Sequence, residues 1–235
     1  MCIAVCGLAI VSAANARHAL TRKAYMSDPH FPIPEQNAPL IPSQDSDISA
    51  RKLIAQRRST PVKLMDPDAE GPDEAQLEAI LGAALRVPGH RKLEPWRFII
   101  VRGEARTALG DILAERYKAL NPDASEKSIE EERNRPMRAP VCVTVVSSPD
   151  HEHKTPVWEQ ELSALCMNLL YAANVSGLAA GWISEWWAFD EDINTALGLV
   201  DGERVAGHIF LGKAKSYLVE RPRPKVSEKT TIWAP

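Results

Sequence analysis

The chain has 235 residues, 45% of them hydrophobic and 25% charged, and a formal net charge of -3. That composition belongs to an ordinary globular protein with a core of full size, in one large domain or two small ones. The charge balance gives no electrostatic case for nucleic acid or an acidic membrane surface as partner. No apolar run reaches the roughly 18 residues that suggest a membrane span.

The chain opens on CIAVCGLAIVSAANA, a short apolar run ending in Ala-Asn-Ala. It resembles the central part of an export signal, but no Lys or Arg precedes it. We read it as an over-long start or a non-structural extension rather than an export signal. Residues 26–47 hold five prolines and few apolar residues, the mark of a loose arm. Residues 1–46 are therefore expected to be an extension, and 47–235 the globular domain.

Asp47 is a plausible N-cap for a helix from Ile48 to Arg57. A second helix is expected from Asp73, with Gln76 where a capping box wants it. Leu77, Ile80, Leu81, Ala84 and Leu85 follow at helical spacing, and Pro88 stops the run. Residues 97–101 read as a buried strand, and Glu104 to Leu120 as a helix. Residues 121–138 carry Glu130-Glu131-Glu132 with Arg133, Arg135 and Arg138, a pattern read as a solvated helix or a mobile cover. Ala139 to Ser147 is a valine-rich strand. Trp158 to Ser176 is a mostly apolar helix that must be buried, closed by Gly177. Ala179 to Trp186 and Val205 to Leu211 read as strands, separated by a short helix from Asp190 to Leu197. Such alternation fits an α+β or α/β domain. No Gly-x-Gly occurs in the chain, which removes a dinucleotide fingerprint, and no P-loop is present.

Four cysteines, Cys2, Cys6, Cys142 and Cys166, form no Cys-x-x-Cys pair, so zinc-ribbon and thioredoxin-type chemistry have no support. A reducing, cytoplasmic compartment follows as the expectation. His151-Glu152-His153 has metal-ligand spacing but lacks a fixed third ligand, so no metal is expected. Ser163 and Ser184 lie outside any nucleophile-elbow sequence. His90 lies in a turn with Arg91, Lys92 and Trp96 that leads into a strand, and such loops often carry sites. In Gln56-Arg57-Arg58-Ser59-Thr60, two cations close a helix before Pro61. They could be solvated, or they could hold an anion.

Several stretches occur in the order found in one family. They are Gln56-Arg57-Arg58-Ser59, then Ile80-Leu81-x-Ala83-Ala84-x-Arg86-x-Pro88-x-His90, then Pro95-Trp96-Arg97-Phe98. Arg133-Asn134-x-Pro136-x-Arg138-Ala139-Pro140 follows, then Pro156-x-Trp158-Glu159-Gln160-Glu161-x-Ser163-Ala164. Gly181-Trp182-x-Ser184 and the run from Val205 to Gly212 complete the set. Together they resemble the nitroreductase family of flavin enzymes, in its small single-domain branch. The resemblance implies an α+β fold, with a mainly antiparallel sheet flanked by helices, and a homodimer built on a long buried central helix. It implies FMN as cofactor, NADH or NADPH as hydride donor, and a nitroaromatic, quinone or similar acceptor reduced by a ping-pong mechanism. A flavin-binding protein with little turnover is the alternative.

The resemblance also implies FMN contacts at Arg57, Arg58, Ser59, Arg86, His90, Trp182, Ile183, Ser184, Arg221 and Arg223. It implies NAD(P) contacts at Arg133, Ala172, Ala173, Asn174, Val175, Ser176 and Gly177, and no protein nucleophile. Of the two arginines, one would meet the phosphate and the other the pyrimidine edge of the ring. The chain departs from the family pattern at Glu94, often Gln, at Ile183, often Arg, and at Glu185, often Gly. Those changes bear on the acceptor pocket and the choice of hydride donor.

Overall fold

The computed structural model describes residues 50, 53–55, 57–148, 158–216, 218–219 and 222–234. The arm before residue 47, the His151-Glu152-His153 motif, Gln56 and Arg221 lie outside these residues, as does most of the expected first helix. Ala50 and residues 53–55 of that helix are helical.

Among the described residues, five strands build the sheet: β1 Met65–Asp66, β2 Trp96–Arg102, β3 Val141–Ser147, β4 Ala179–Ile183 and β5 Arg204–Ala214. Every pairing is antiparallel, in the order β1-β5-β3-β2, with β4 also paired to β5. β4 runs beside His208 to Gly212 of β5, and β1 continues beside Lys213 and Ala214.

Five α-helices are described: α1 Glu74–Ala84, α2 Glu104–Leu120, α3 Glu126–Arg133, α4 Trp158–Val175 and α5 Glu191–Ala196. Their ends follow local chemistry. The Asp73 carboxylate accepts from the Gln76 backbone N–H at 2.7 Å. Gln76 does not turn back to complete a capping box, because its Nε2 donates to the Ser176 carbonyl at 3.1 Å and ties α1 to the end of α4. Asp190 caps α5 through the Ile193 N–H at 3.0 Å. Gly177 stands at φ +75° after α4, a conformation that costs glycine nothing.

The alternation along β3 and β5 divides the core into two layers. Val141, Val143, Val145, Ile209 and Leu211 face α4 and α1, packing on Leu162, Leu165, Cys166, Leu169 and Ile80. Cys142 and Phe210 face the other way, onto Leu109 and Leu113 of α2, Ile193 of α5 and Trp187. With both faces covered, a strand needs apolar residues at every position, which is why β3 reads as an unbroken valine-rich run. Burial pushes the Cys142 and Cys166 thiols up to about 12.

Two expectations are corrected. The strand from Ala179 ends at Ile183 rather than Trp186, and Trp186–Ala188 form a 3-10 turn. The cause is that Trp187 is wholly buried and stacks on the His208 ring at 3.4 Å between centroids, which pulls the chain out of the sheet. The acidic and basic run at 121–138 is not simply a solvated face, because Glu132 is only 5% exposed and takes part in a partly buried ion cluster.

The Arg97 guanidinium grips Glu203 through Nε at 2.8 Å and Nη2 at 2.6 Å, and the same Nη2 donates to the Gly198 carbonyl. The Glu203 carboxyl is held down to about 2 by that bond, from an ordinary 4.5. A carboxyl depressed in the folded state stabilises above its unfolded value, and the contribution fades as pH falls through the folded one. Stability should therefore drop between about pH 4.5 and pH 2 in the wild type. Glu203→Gln should flatten that part of the profile and cost about 1.5–3 kcal/mol at neutral pH, read by denaturant titration across pH.

A close backbone contact gives a second test. A Cβ on Gly181 would sit 2.3 Å from the Thr60 carbonyl oxygen. Gly181→Ala should cost about 1–3 kcal/mol through overpacking, seen as a lowered Tm, because backbone rather than a side-chain tip must give way.

Candidate functional site

The Arg57–Thr60 stretch is laid down on the sheet. Arg57 N–H closes the preceding helical turn on the Leu53 carbonyl at 2.8 Å. Pro61 then disfavours helix in the residue before it, so the chain extends. Thr60 is buried and its N–H donates to the Ala180 carbonyl at 2.8 Å, fixing the stretch across the start of β4.

The two arginines diverge. The Arg57 guanidinium carbon lies 5.9 Å from the centroid of the Tyr171 ring on α4, and its Nη1 reaches the Ser59 hydroxyl at 3.4 Å. Arg58 turns the other way and donates to the Val219 carbonyl. There it lines a cavity of about 610 Å³, with Thr60, Asn174, Gly177, Lys213 and Ser216 among the other walls. Lys213 Nζ donates to the Gly177 carbonyl at 2.9 Å. It thereby offsets the negative end of the α4 dipole, which would otherwise repel an anion from this wall. Neither Arg58 nor Lys213 has a carboxylate partner among the described residues. Two cations on one cavity, each bonded only to a carbonyl, form an electropositive site suited to an anion.

The remaining residues singled out from sequence fall elsewhere. Arg86 is exposed beyond α1, and its carbonyl accepts from Asn168 at 2.8 Å. His90 opens a short 3-10 turn that ends at Lys92. That turn and the residues after it hold two non-glycine residues at positive φ, Lys92 at 59° and Glu94 at 49°. Such backbone strain, on the order of 1–3 kcal/mol per residue, gathers at functional sites. The Trp182 indole lies flush on Gly207, and it also lines a smaller cavity of about 200 Å³ with Ser147, Ser163 and Arg204. Ile183 packs against the second core layer, while Ser184 is exposed. Arg223 is exposed in the C-terminal tail.

The residues proposed for NAD(P) are split. Arg133 sits on α3, bonded to Glu130 at 3.2 Å and to Asp111 of α2. Ala172 and Ala173 are sealed in the core layer on the opposite side of the sheet, and have no open face within one chain. Val175 is exposed, and Ser176 offers its carbonyl to Gln76. Asn174 and Gly177 instead join Arg58 in the larger cavity. Lys213 and Ser216 went unnoticed in the sequence. A single lysine after Gly212 carries no motif, and only the pairing of β5 with β1 and β4 brings it opposite Arg58. Among the described residues, no group of three or more His, Cys, Asp or Glu side chains could hold a metal.

The structure thus defines an antiparallel α+β domain with a cavity lined by Arg58 and Lys213 where the helix-closing arginines cross the sheet. The sequence pattern of the Nitroreductase family matches residues 54–213, and the chain belongs to that family. YdjA of Escherichia coli K12, whose name marks it as a candidate NAD(P)H nitroreductase, is 34% identical over 167 residues, 70% of this chain and 88% of that one. A nitroreductase-like family protein from Bacillus cereus shares the fold with a TM-score of 0.65 at 21% identity, covering 81% of this chain and 98% of that one. A Bacteroides fragilis nitroreductase solved with bound FMN superposes with a TM-score of 0.58 at 25% identity, covering 79% of this chain and all of its own.

The cavity can be tested without assuming its ligand. Inorganic pyrophosphate should raise the Tm of the wild type, and much less that of Arg58→Ala or Lys213→Ala. Each substitution should weaken binding by about tenfold or more, the weight of one charge-assisted hydrogen bond.

Proposed function

We propose that the protein is an FMN-dependent oxidoreductase that takes hydride from NADH or NADPH and reduces a nitroaromatic, quinone or similar acceptor by a ping-pong mechanism. The observation that carries this reading is the cavity built by Arg58 and Lys213. Its cations suit the roughly two negative charges of a phosphate monoester. Its size, about 610 Å³, lies in the usual range for cofactor sites.

In this reading Arg58 and Lys213 grip the phosphate, with Ser216 on the same cavity wall, while the Ser59 hydroxyl accepts from Arg57. Arg57, turned toward Tyr171, serves the ring end by stabilising negative charge there. His90, Trp182, Ile183 and Ser184 contribute walls around the ring, and Arg221 and Arg223 add cations from the tail. When bound, FMN would supply the hydride-accepting chemistry. The chain supplies binding, orientation and electrostatics, and no side chain has to act as nucleophile. Asn174 and Gly177 belong with the phosphate cavity here, which leaves the nicotinamide contacts to residues other than the buried Ala172 and Ala173.

The protein is proposed to work as a homodimer in the cytoplasm, with residues 1–45 dispensable for flavin binding. Support for the dimer comes from the tail, where Val226, Ile232 and Trp233 are 80%, 89% and 82% exposed in the single chain. Large apolar side chains left out together favour a protein surface to cover them. Sedimentation should give twice the chain mass of 25.9 kDa.

The deciding experiment is the absorption spectrum of the purified protein. A flavin spectrum that bleaches with NADH or NADPH under nitrogen, and returns with an acceptor, supports the reading. A colourless protein that does not take up FMN overturns it. A yellow protein that no nicotinamide bleaches leaves flavin binding and removes the enzyme.

A further inference from the structure

The charged run at the end of α3 meets the segment that leaves β4 in a closed ion cluster. Arg135 donates through Nη2 to Glu132 Oε1 at 2.6 Å and through Nε to Glu132 Oε2. Its Nη1 donates to Glu185 Oε2 at 2.5 Å, and Arg138 Nη1 donates to Glu185 Oε1 at 2.8 Å. Two indoles complete the set: Trp186 Nε1 donates to Glu132 at 2.7 Å and Trp187 Nε1 to Glu185 at 3.2 Å. Two carboxylates face two guanidiniums, and all four carboxylate oxygens are engaged. Burial raises the Glu185 pKa, but the charges of Arg138 and Arg135 outweigh it and hold the carboxyl below its ordinary value, so Glu185 stays charged at neutral pH.

The cluster anchors one particular residue. Ile183 is paired to His208 in the sheet, and Glu185 is pinned by the two arginines. Ser184 stands exposed between these two fixed points. Trp187 adds a third anchor by stacking on His208. The chain therefore presents Ser184 and the flanking backbone as a rigid corner rather than a loop. A partly buried cluster of this kind contributes less to net stability than to selecting one geometry.

We propose that Glu185 is a positioning residue, which holds the Ile183–Ser184 corner against the flavin ring through its bonds to Arg135 and Arg138. This rests on the reading of Ile183 and Ser184 as cofactor contacts. The device depends on a carboxylate at position 185 standing opposite two arginines. An alanine would leave Arg135 with Glu132 alone, take from Arg138 its carboxylate partner in the cluster, and free the corner to move.

The test compares wild type, Glu185→Ala, Glu185→Gln and Arg97→Ala as FMN-loaded proteins. The readouts are FMN affinity, visible circular dichroism of the bound flavin, reduction potential and steady-state kinetics. The phosphate grip is remote from the corner, so both Glu185 variants should retain FMN within about tenfold of wild type. Their flavin dichroism and reduction potential should depart from wild type, and kcat/KM should fall by about tenfold or more at full FMN occupancy. Glu185→Gln keeps the shape and one acceptor oxygen, and should fall between Glu185→Ala and wild type. Arg97→Ala breaks a distant ion pair, and should lower Tm while leaving the flavin signals unchanged. Glu185 variants that lose Tm but keep wild-type dichroism, potential and kcat/KM would overturn the proposal and leave the cofactor reading standing. A wild-type protein that never takes up FMN would overturn the cofactor reading, and this inference with it.

Discussion

Everything in this fold leans on the double-sided burial of β3. Its residues from Val141 to Ser147 are all buried, with α4 on one face and α2 on the other. A strand in that position has no solvent face, so its neighbours must supply a complete layer on each side. α4 supplies one layer, and α2, α5 and Trp187 supply the other. The edges of these layers are where the chain can place polar chemistry, and the described cavities lie there. The Arg58–Lys213 cavity sits at the C-terminal end of α4, and the Trp182 cavity beside its N-terminal half.

How much of this could be read from residues alone depends on the range of the interaction. The ends of α1 and α2, the valine strand and the buried character of α4 rest on periodicity, caps and glycine, all local signals. The limits of β4 could not be read in that way. Ala179 to Trp186, apolar except at Ser184 and Glu185, passes for strand, and only the distant partners of Glu185 and Trp187 end it at Ile183. The arginines at 57 and 58 were visible as an anion candidate, but their division of labour required Tyr171 and Val219, more than a hundred residues away in the chain. Lys213 became meaningful only once β1 and β4 shared an edge of β5.

The acidic and basic run before Pro136 shows the same limit from the other side. Charge density on a short helix usually means solvent, and Lys127, Glu130 and Glu131 meet that expectation. Glu132 does not, because the indoles of the 3-10 turn after β4 seal it. One residue's phase on the helix separates a solvated glutamate from a structural one, and composition does not carry phase.

The two described thiols also follow from the layered core. Cys142 and Cys166 lie on opposite faces of the sheet, fully buried, with their proton affinities pushed up to about 12. The thiolate is the nucleophile in sulfur chemistry, and here it is scarce at neutral pH as well as shielded. Quinones, and the nitroso compounds formed by reducing nitroarenes, are electrophiles to which exposed thiolates add. A protein handling such cargo would scar itself with every leak if its cysteines lay at the surface. Packing these two as small hydrophobes makes the core chemically deaf to the molecules the protein is proposed to handle.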